Sequence, residues 1–416
     1  CSSDLSNMLS AAALLCYLSV VGAFEVSSPQ FLNNIANKSH GNTSDDNASD
    51  DNSSALSPGK FFNFFNFVKF NNDPCATTDN RNGTCYSRLE CAALGGNPLG
   101  LCAKGFGVCC LIEKSCGDTT NVNNTYFVSQ QRQAGIGQCP LTIQKVQRDI
   151  CQMRLDFDEF VLAPPEVANN VCQDDLFIVS AASPINIICG SNRGQHMYVD
   201  AGLGDSPTVL NVVSSAPFNS RTWKIRISQI SCYSKYRAPE GCLQYFASAT
   251  GTISSFNFDG TVGSKQLSDQ NYAVCVRAGP GYCGVKYTQC DSFSGVNTFS
   301  LSGMQMVTAQ GTPMAGGDMA FLAENDMTTA TNCQKDFLVI PCASDTKGVQ
   351  GLCKVQRFCG GTLTLSTTMM MTPGSVYSWL KPFVLRFKTD SLEQGGSPMD
   401  TMNRGFCLTY VQQPCT

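Results

Sequence analysis

Histidine is almost absent from this chain: its 416 residues include two, His40 and His196. A hydrolytic triad or a histidine-bound zinc needs an imidazole beside a placed nucleophile or beside further ligands. Most catalytic and metal chemistries therefore lose their usual residue at the outset. Charge is scarce as well, with Asp, Glu, Lys and Arg at 14% of the residues, a net charge of −4 and no run of Lys or Arg. The basic stripe of a nucleic-acid binder is missing. Long apolar stretches are missing too, with one exception at residues 8–23 (MLSAAALLCYLSVVGA). Its apolar run of about 14 residues is shorter than the ~20 that span a bilayer, and it ends on small residues of the kind a signal peptidase reads. The expectation is a secretory signal cleaved after Ala23, with no second hydrophobic span and no C-terminal anchor signal, hence a secreted, extracellular protein without a membrane span.

Gly204-Asp-Ser206-Pro207 begins like the nucleophile motif of a serine protease, but no Gly-Gly continues it and no histidine base accompanies it. His196, in Gly194-Gln-His-Met-Tyr-Val-Asp200, stands among apolar residues and reads as a structural histidine. No catalytic constellation survives, and the expected class is not an enzyme.

What the chain has in quantity is cysteine, 24 residues. At this density the natural reading is a disulfide framework made in an oxidising compartment. Residues 24–59 are rich in Asn, Ser and Asp and poor in large apolar groups, which predicts a disordered spacer. Asn37, Asn42, Asn47 and Asn52 each open an N-x-Ser/Thr acceptor there, and Asn82 and Asn123 do so further on, so glycosylation is expected at all six. Residues 60–74 carry the run FFNFFNFVKF, where Phe61, Phe64, Phe67 and Phe70 recur every third position. Such a patch needs cover, either from this protein's own folded part or from a partner.

Between Ile150 and Cys189 the pattern becomes that of strands. Met153, Leu155 and Phe157 alternate with Arg154, Asp156 and Asp158, a turn follows at Pro164-Pro165, and Cys172-Gln-Asp-Asp175 opens a second strand that leads to Cys189-Gly190. Period-two alternation marks half-buried strands. This succession, an alternating strand, then Cys-x-x-Asp-x-aromatic-x-Val, then Cys-Gly, resembles the centre of a CUB domain. The chain also repeats itself. Arg221-Thr-Trp through Cys232 aligns without gaps with Arg404-Gly-Phe through Cys415, Cys172-Gln-Asp-Asp175 pairs with Cys333-Gln-Lys-Asp336, and Cys189-Gly pairs with Cys359-Gly. Two CUB domains are expected, at 116–232 and 242–416, the second more diverged. The phrases GQHMYVDAG, GCLQYF and SSFNF look like those of the two-CUB secreted proteins of insects and crustaceans. The resemblance implies the bridges Cys116–Cys139, Cys172–Cys189, Cys242–Cys275 and Cys333–Cys359. The repeat suggests Cys151–Cys232 and Cys283–Cys415, with Cys290–Cys407 and Cys342–Cys353 for the remaining four.

Residues 75–115 hold six cysteines, Cys75, Cys85, Cys91, Cys102, Cys109 and Cys110, in a segment too short to hold itself by burial. Their spacing, ending in Gly-Phe-Gly-Val-Cys-Cys, resembles the clip domain of arthropod extracellular proteases and their non-catalytic relatives. That resemblance implies Cys75–Cys109, Cys85–Cys102 and Cys91–Cys110, whereas spacing alone leaves the fifteen pairings of any six-cysteine module open. A generic knotted disulfide module is the alternative.

The CUB resemblance also implies calcium, held by a Glu before the third cysteine, the Asp of Cys-x-x-Asp and an Asp in a later strand. Hard cations take several carboxylate oxygens. In the second unit Asp336, Asp390 and Glu324 are the candidates. In the first unit Asp175 is present, Ser215 and Ala163 stand where the other acids belong, and Asp200 or Glu166 would have to substitute. The expected fold is therefore all-β: two CUB-type antiparallel β-sandwiches plus a small disulfide-rich module. The expected function is non-enzymatic recognition of an extracellular protein or glycan, with calcium the one cofactor considered. A non-catalytic regulator of a clip-protease cascade and a structural component of cuticle or egg envelope are the alternatives.

Overall fold

A computed structural model describes residues 72–130, 135–261, 264–291, 297–301, 304–307, 313–321, 333, 335–347, 355–365, 373–391 and 403–415. The leader at 8–23, the spacer with Asn37, Asn42, Asn47 and Asn52, most of the Phe-rich stretch 60–74, Glu324 and Cys353 lie outside the described residues.

The fold is all-β. Its first sandwich packs an eight-stranded sheet against a four-stranded one. The strand Ile150–Val161 lies between Thr222–Ser231 and His196–Asp200, antiparallel to both. Met153, Leu155 and Phe157 are buried and the charged residues between them are not, as period-two alternation requires. The alternation then changes phase. Phe157 pairs with Ile225 and Glu159 with Lys224, which leaves Asp158 as the extra residue of a β-bulge and turns Phe160 inward. Phe157, Phe160 and Phe177 meet at centroid separations of 4.8, 5.3 and 6.0 Å, with Phe127 against Trp223 at 5.6 Å. Each of these side chains contributes about 1.5–3 kcal/mol by leaving water.

The small disulfide-rich module is continuous with this sandwich. Asn82–Tyr86 and Asn97–Cys102 flank Gly107–Lys114 antiparallel. Gly107–Lys114 then runs parallel to Thr125–Val128, so the module extends the eight-stranded sheet. A short helix, Arg88–Ala93, is held at its start by a capping box between Ser87 and Glu90. Bridges join Cys75 to Cys109, Cys85 to Cys102 and Cys91 to Cys110.

The second sandwich contains one layer of Cys242–Phe246, Asn271–Val276, Phe383–Lys388 and the start of Phe337–Ser344. The other layer holds Ser375–Ser378, Tyr282–Gln289, Gly405–Pro414 and Thr250–Ser254. Phe337–Ser344 serves both layers. Phe337 to Val339 pair with Phe383–Lys388, and Ala343 and Ser344 pair with Ser375–Ser378. Between them Cys342 has φ 54°, the left-handed turn at which the strand changes layer. Every cysteine among the described residues is disulfide-bonded. In the two sandwiches the bridges are Cys116–Cys139, Cys151–Cys232, Cys172–Cys189, Cys242–Cys275, Cys283–Cys415, Cys290–Cys407 and Cys333–Cys359. Cys342 is also bonded, and Cys353 lies outside the described residues.

Candidate functional site

Two acidic positions at matching places in the repeat have different surroundings. Asp175 opens the strand Asp175–Ser180 with its carboxylate fully buried. Arg221, equally buried at the start of Thr222–Ser231, donates from Nη2 to Asp175 Oδ1 at 2.7 Å and from Nε to Oδ2 at 2.8 Å. The backbone N–H of Ala163 completes the carboxylate's shell at 2.7 Å. The same guanidinium reaches the carbonyls of Ala216 at 2.9 Å and Gly135 at 3.1 Å. Removing either ion leaves the other buried and uncompensated, a loss on the order of 3–5 kcal/mol.

The acid at the first unit's Cys-x-x-Asp position is thus taken up by Arg221. Asp200 and Glu166, the acids that would have had to substitute, are used elsewhere. Glu166 accepts from the N–H groups of Ala168 and Asn169, and Asp200 accepts from Gln152 at 3.3 Å. Ser215 donates to the Gln173 and Asp174 carbonyls at 3.1 Å. A divalent ion entering there would have to displace the Arg221 and Ala163 donors from Asp175.

In the second unit Asp336 is 1% exposed. Its Oδ2 accepts from Gln266 Nε2 at 2.9 Å and its Oδ1 accepts from the backbone N–H of Asp390 at 3.0 Å. Thus Asp336 and Asp390 are brought together, at a half-buried edge, while Glu324 lies outside the described residues. The contact runs through the Asp390 backbone N–H, and a carboxylate such as that of Asp336 is a ligand type that a hard cation takes. No group of three His, Cys, Asp or Glu able to hold a metal occurs among the described residues. Of the two described sequons, Asn82 is exposed, whereas Asn123 is half-buried with its Oδ1 accepting from the N–H groups of Asn124 and Gln229 at 2.9 and 2.8 Å.

Sequence reasoning missed a third feature, the seam between the sandwiches. His196, at the edge of the first, is 6% exposed and sits 3.1 Å from both the N–H and the carbonyl of Tyr245, at the edge of the second. Burial pushes its pKa from 6.5 down to about 4, with the nearby Arg154 guanidinium acting in the same direction. Asn257 reaches across in the same way. Its Oδ1 accepts from Ser191 N–H at 2.9 Å, and its own N–H donates to Asn192 Oδ1 at 2.7 Å. Gln195 donates to the Ser255 carbonyl at 3.0 Å and accepts from Gln244 at 3.0 Å. Ser268 bonds the Asn169 and Asn170 carbonyls, and Asn186 bonds Asp269 and Asn271.

The three phrases that stood out in the sequence, GQHMYVDAG, GCLQYF and SSFNF, are the two faces of this seam. Gly190, of the Cys-Gly pair, shows why a side chain is not accommodated there. Its φ is +72°, and a Cβ would collide with Asn257 Oδ1. The signal available to the sequence was the polar character of His196 and Gln244 within otherwise apolar strands, and of Gln195 and Asn257 just outside such strands. Ser206, the protease lookalike, lies exposed in the turn after His196–Asp200, while the His196 ring is already engaged by Tyr245.

Among the described residues no helix is long and apolar enough to cross a membrane. The linker between the sandwiches makes an exposed turn in which Tyr233 is 91% and Tyr236 63% exposed. Lys235 and Arg237 are also exposed, and the ion pairs found among the described residues do not include them.

Comparison with curated proteins gives no match. Solved structures similar to the chain include the CUB1-EGF-CUB2 domains of rat MASP-1, at 13% identity and TM-score 0.22, covering 70% of this chain and 99% of that one. The CUB1-EGF-CUB2 domain of human MASP-1/3 is similar at 14% identity and TM-score 0.21, covering 69% and 98%. The full extracellular region of zebrafish Gpr126/Adgrg6 is similar at 11% identity and TM-score 0.25, covering 73% of this chain and 37% of that one. Within the chain itself, residues 239–413, which include the second sandwich, match the family model described as the animal CUB domain.

Proposed function

We propose that this is a secreted, non-enzymatic recognition protein that holds an extracellular protein partner on its fastened pair of CUB-type sandwiches. The observation that carries the reading is the linker turn at 233–237. Two tyrosines and two cations project there from a linker that is otherwise pinned, since Gln152 accepts from Ala238 N–H at 2.8 Å and donates to its carbonyl at 3.4 Å. Exposed tyrosines on a fixed support give contact area at low entropic cost. Lys235 and Arg237 add attraction for an acidic surface. CUB domains in general mediate protein–protein interaction, and the dense disulfides suit an extracellular setting. Calcium at Asp336 and Asp390 belongs to the same proposal, where it would order the edge loops of the second sandwich.

The test is capture from extracellular fluid by the intact protein carrying a photo-crosslinker at Tyr236, compared with a Tyr233→Ala, Lys235→Glu, Arg237→Glu variant of unchanged melting temperature. The reading expects a crosslinked protein of acidic surface that the variant fails to retain. Equal capture by the variant, or capture of glycan alone, rejects it.

A second reading is favoured by the small module. It presents Leu89, Leu101 and Phe106 to solvent at 84%, 70% and 70% exposure. As a clip-like module it would dock on an active protease through these side chains, and the protein would then be a non-catalytic regulator. Co-elution with an active serine protease that is lost on Phe106→Ser and Leu101→Ser supports this reading, and unchanged co-elution removes it.

A further inference from the structure

The oxygen cluster around Arg221 has the composition of a cation site. It brings together both oxygens of the buried Asp175 carboxylate, the Ala216 carbonyl and the Gly135 carbonyl, each 2.7–3.1 Å from a guanidinium nitrogen. Carboxylate and backbone carbonyl oxygens are the ligands a hard cation takes. Here they converge on a positive charge that the chain supplies. We infer that Arg221 is the resident cation of the first sandwich, so that this loop end is ordered without metal and is indifferent to chelators.

The repeat provides an internal comparison. Arg404 stands where Arg221 does in the first unit, yet it is only half-buried and is absent from the ion pairs found among the described residues. Asp336, the counterpart of Asp175, takes an amide from Gln266 and a backbone N–H from Asp390. At this carboxylate position the first sandwich therefore carries a fixed internal cation. A planar fork with donors on several nitrogens holds two carboxylate oxygens and two carbonyls at once, and because it is tethered to the backbone it does not dissociate. The consequence for recognition is that any calcium dependence of this protein arises outside the first sandwich.

Hydrogen exchange on the intact secreted protein tests it, read at the segments 162–176 and 214–222. In the wild type these segments exchange at one rate in millimolar calcium and in chelator, and a calcium-dependent slowing overturns the inference. In Arg221→Ala exchange there rises about tenfold or more, and millimolar calcium or guanidinium ion slows it again. Wild-type protection in Arg221→Ala, or no response to either cation, overturns it. If Arg221→Ala is not secreted, Arg221→Lys takes its place, keeping the charge without the fork. Its expected exchange is faster than wild type in both media, and wild-type rates would show that the fork has no part in the site.

Discussion

Acid should loosen this protein through one histidine, and the size of the effect follows from the seam. His196 is buried, and its pKa is lowered from 6.5 to about 4 by desolvation, reinforced by Arg154 and partly offset by Asp156 and the Tyr245 backbone. In the unfolded chain the ring returns to its ordinary value. Between pH 6.5 and 4 the unfolded state therefore binds a proton that the folded state refuses. The stability tied to the neutral ring is complete above pH 6.5, declines as pH falls through this window and levels off below about 4. At 1.36 kcal/mol per unit the whole window amounts to about 3 kcal/mol, and the fall from pH 7 to 4.5 to roughly 2.5 kcal/mol. The measurement is denaturant unfolding of the intact, oxidised protein at pH 7 and 4.5, beside His196→Gln, whose amide does not titrate. Carboxylates that titrate in the same range act on both proteins, so the difference between the two pH responses isolates the imidazole. The wild type should lose about 2–3 kcal/mol more than the variant. Equal losses would refute the reasoning and mean that the seam admits a proton at little cost.

Gly190→Ala should destabilise by about 1–3 kcal/mol, because a left-handed φ and a collision with Asn257 Oδ1 act together; a melting temperature within a degree of wild type would show that the sandwiches part easily. Asp390→Ala should weaken calcium binding steeply in calorimetry on the intact protein, since it removes one of the two candidate carboxylates, and an unchanged isotherm would place any calcium elsewhere. Thiol labelling of the denatured, unreduced protein should find no free cysteine, and several labelled positions would break the framework. Screening with peptide substrates and a serine-reactive probe should detect no hydrolase activity, and covalent labelling at Ser206 would overturn the non-enzymatic reading.

The all-β fold could be read from local signals. Alternation through Met153, Leu155 and Phe157, and cysteines at strand openings, mark strands because burial on one face imposes a period of two. What escaped the sequence was non-local. The bulge at Asp158 reverses the phase of its strand, and no propensity announces it. The parallel pairing of Gly107–Lys114 with Thr125–Val128 joins a module to a sandwich through hydrogen bonds that backbone alone provides. Arg221 was visible only as the counterpart of Arg404, and two like residues in a repeat suggest one role. Burial against Asp175 gives the first a role that the second does not share. His196 reads as a structural histidine in the sequence, but its partner, Tyr245, lies 49 residues away in another sandwich, beyond the reach of spacing arguments.

The bridges also decide how this protein carries tension. Cys75–Cys109, Cys116–Cys139, Cys151–Cys232, Cys242–Cys275 and Cys283–Cys415 follow one another along the chain without overlap. A pull between residues 75 and 415 would travel through sulfur and bypass both sandwiches. Only the joints at 109–116, 139–151, 232–242 and 275–283 could be drawn out, to a combined extended length on the order of 130 Å, against roughly 1,200 Å for the same chain reduced. Oxidised, the molecule would act under load as a short, nearly inextensible link, with the strain borne at these joints, the exposed turn at 233–237 among them, and not across the sandwiches.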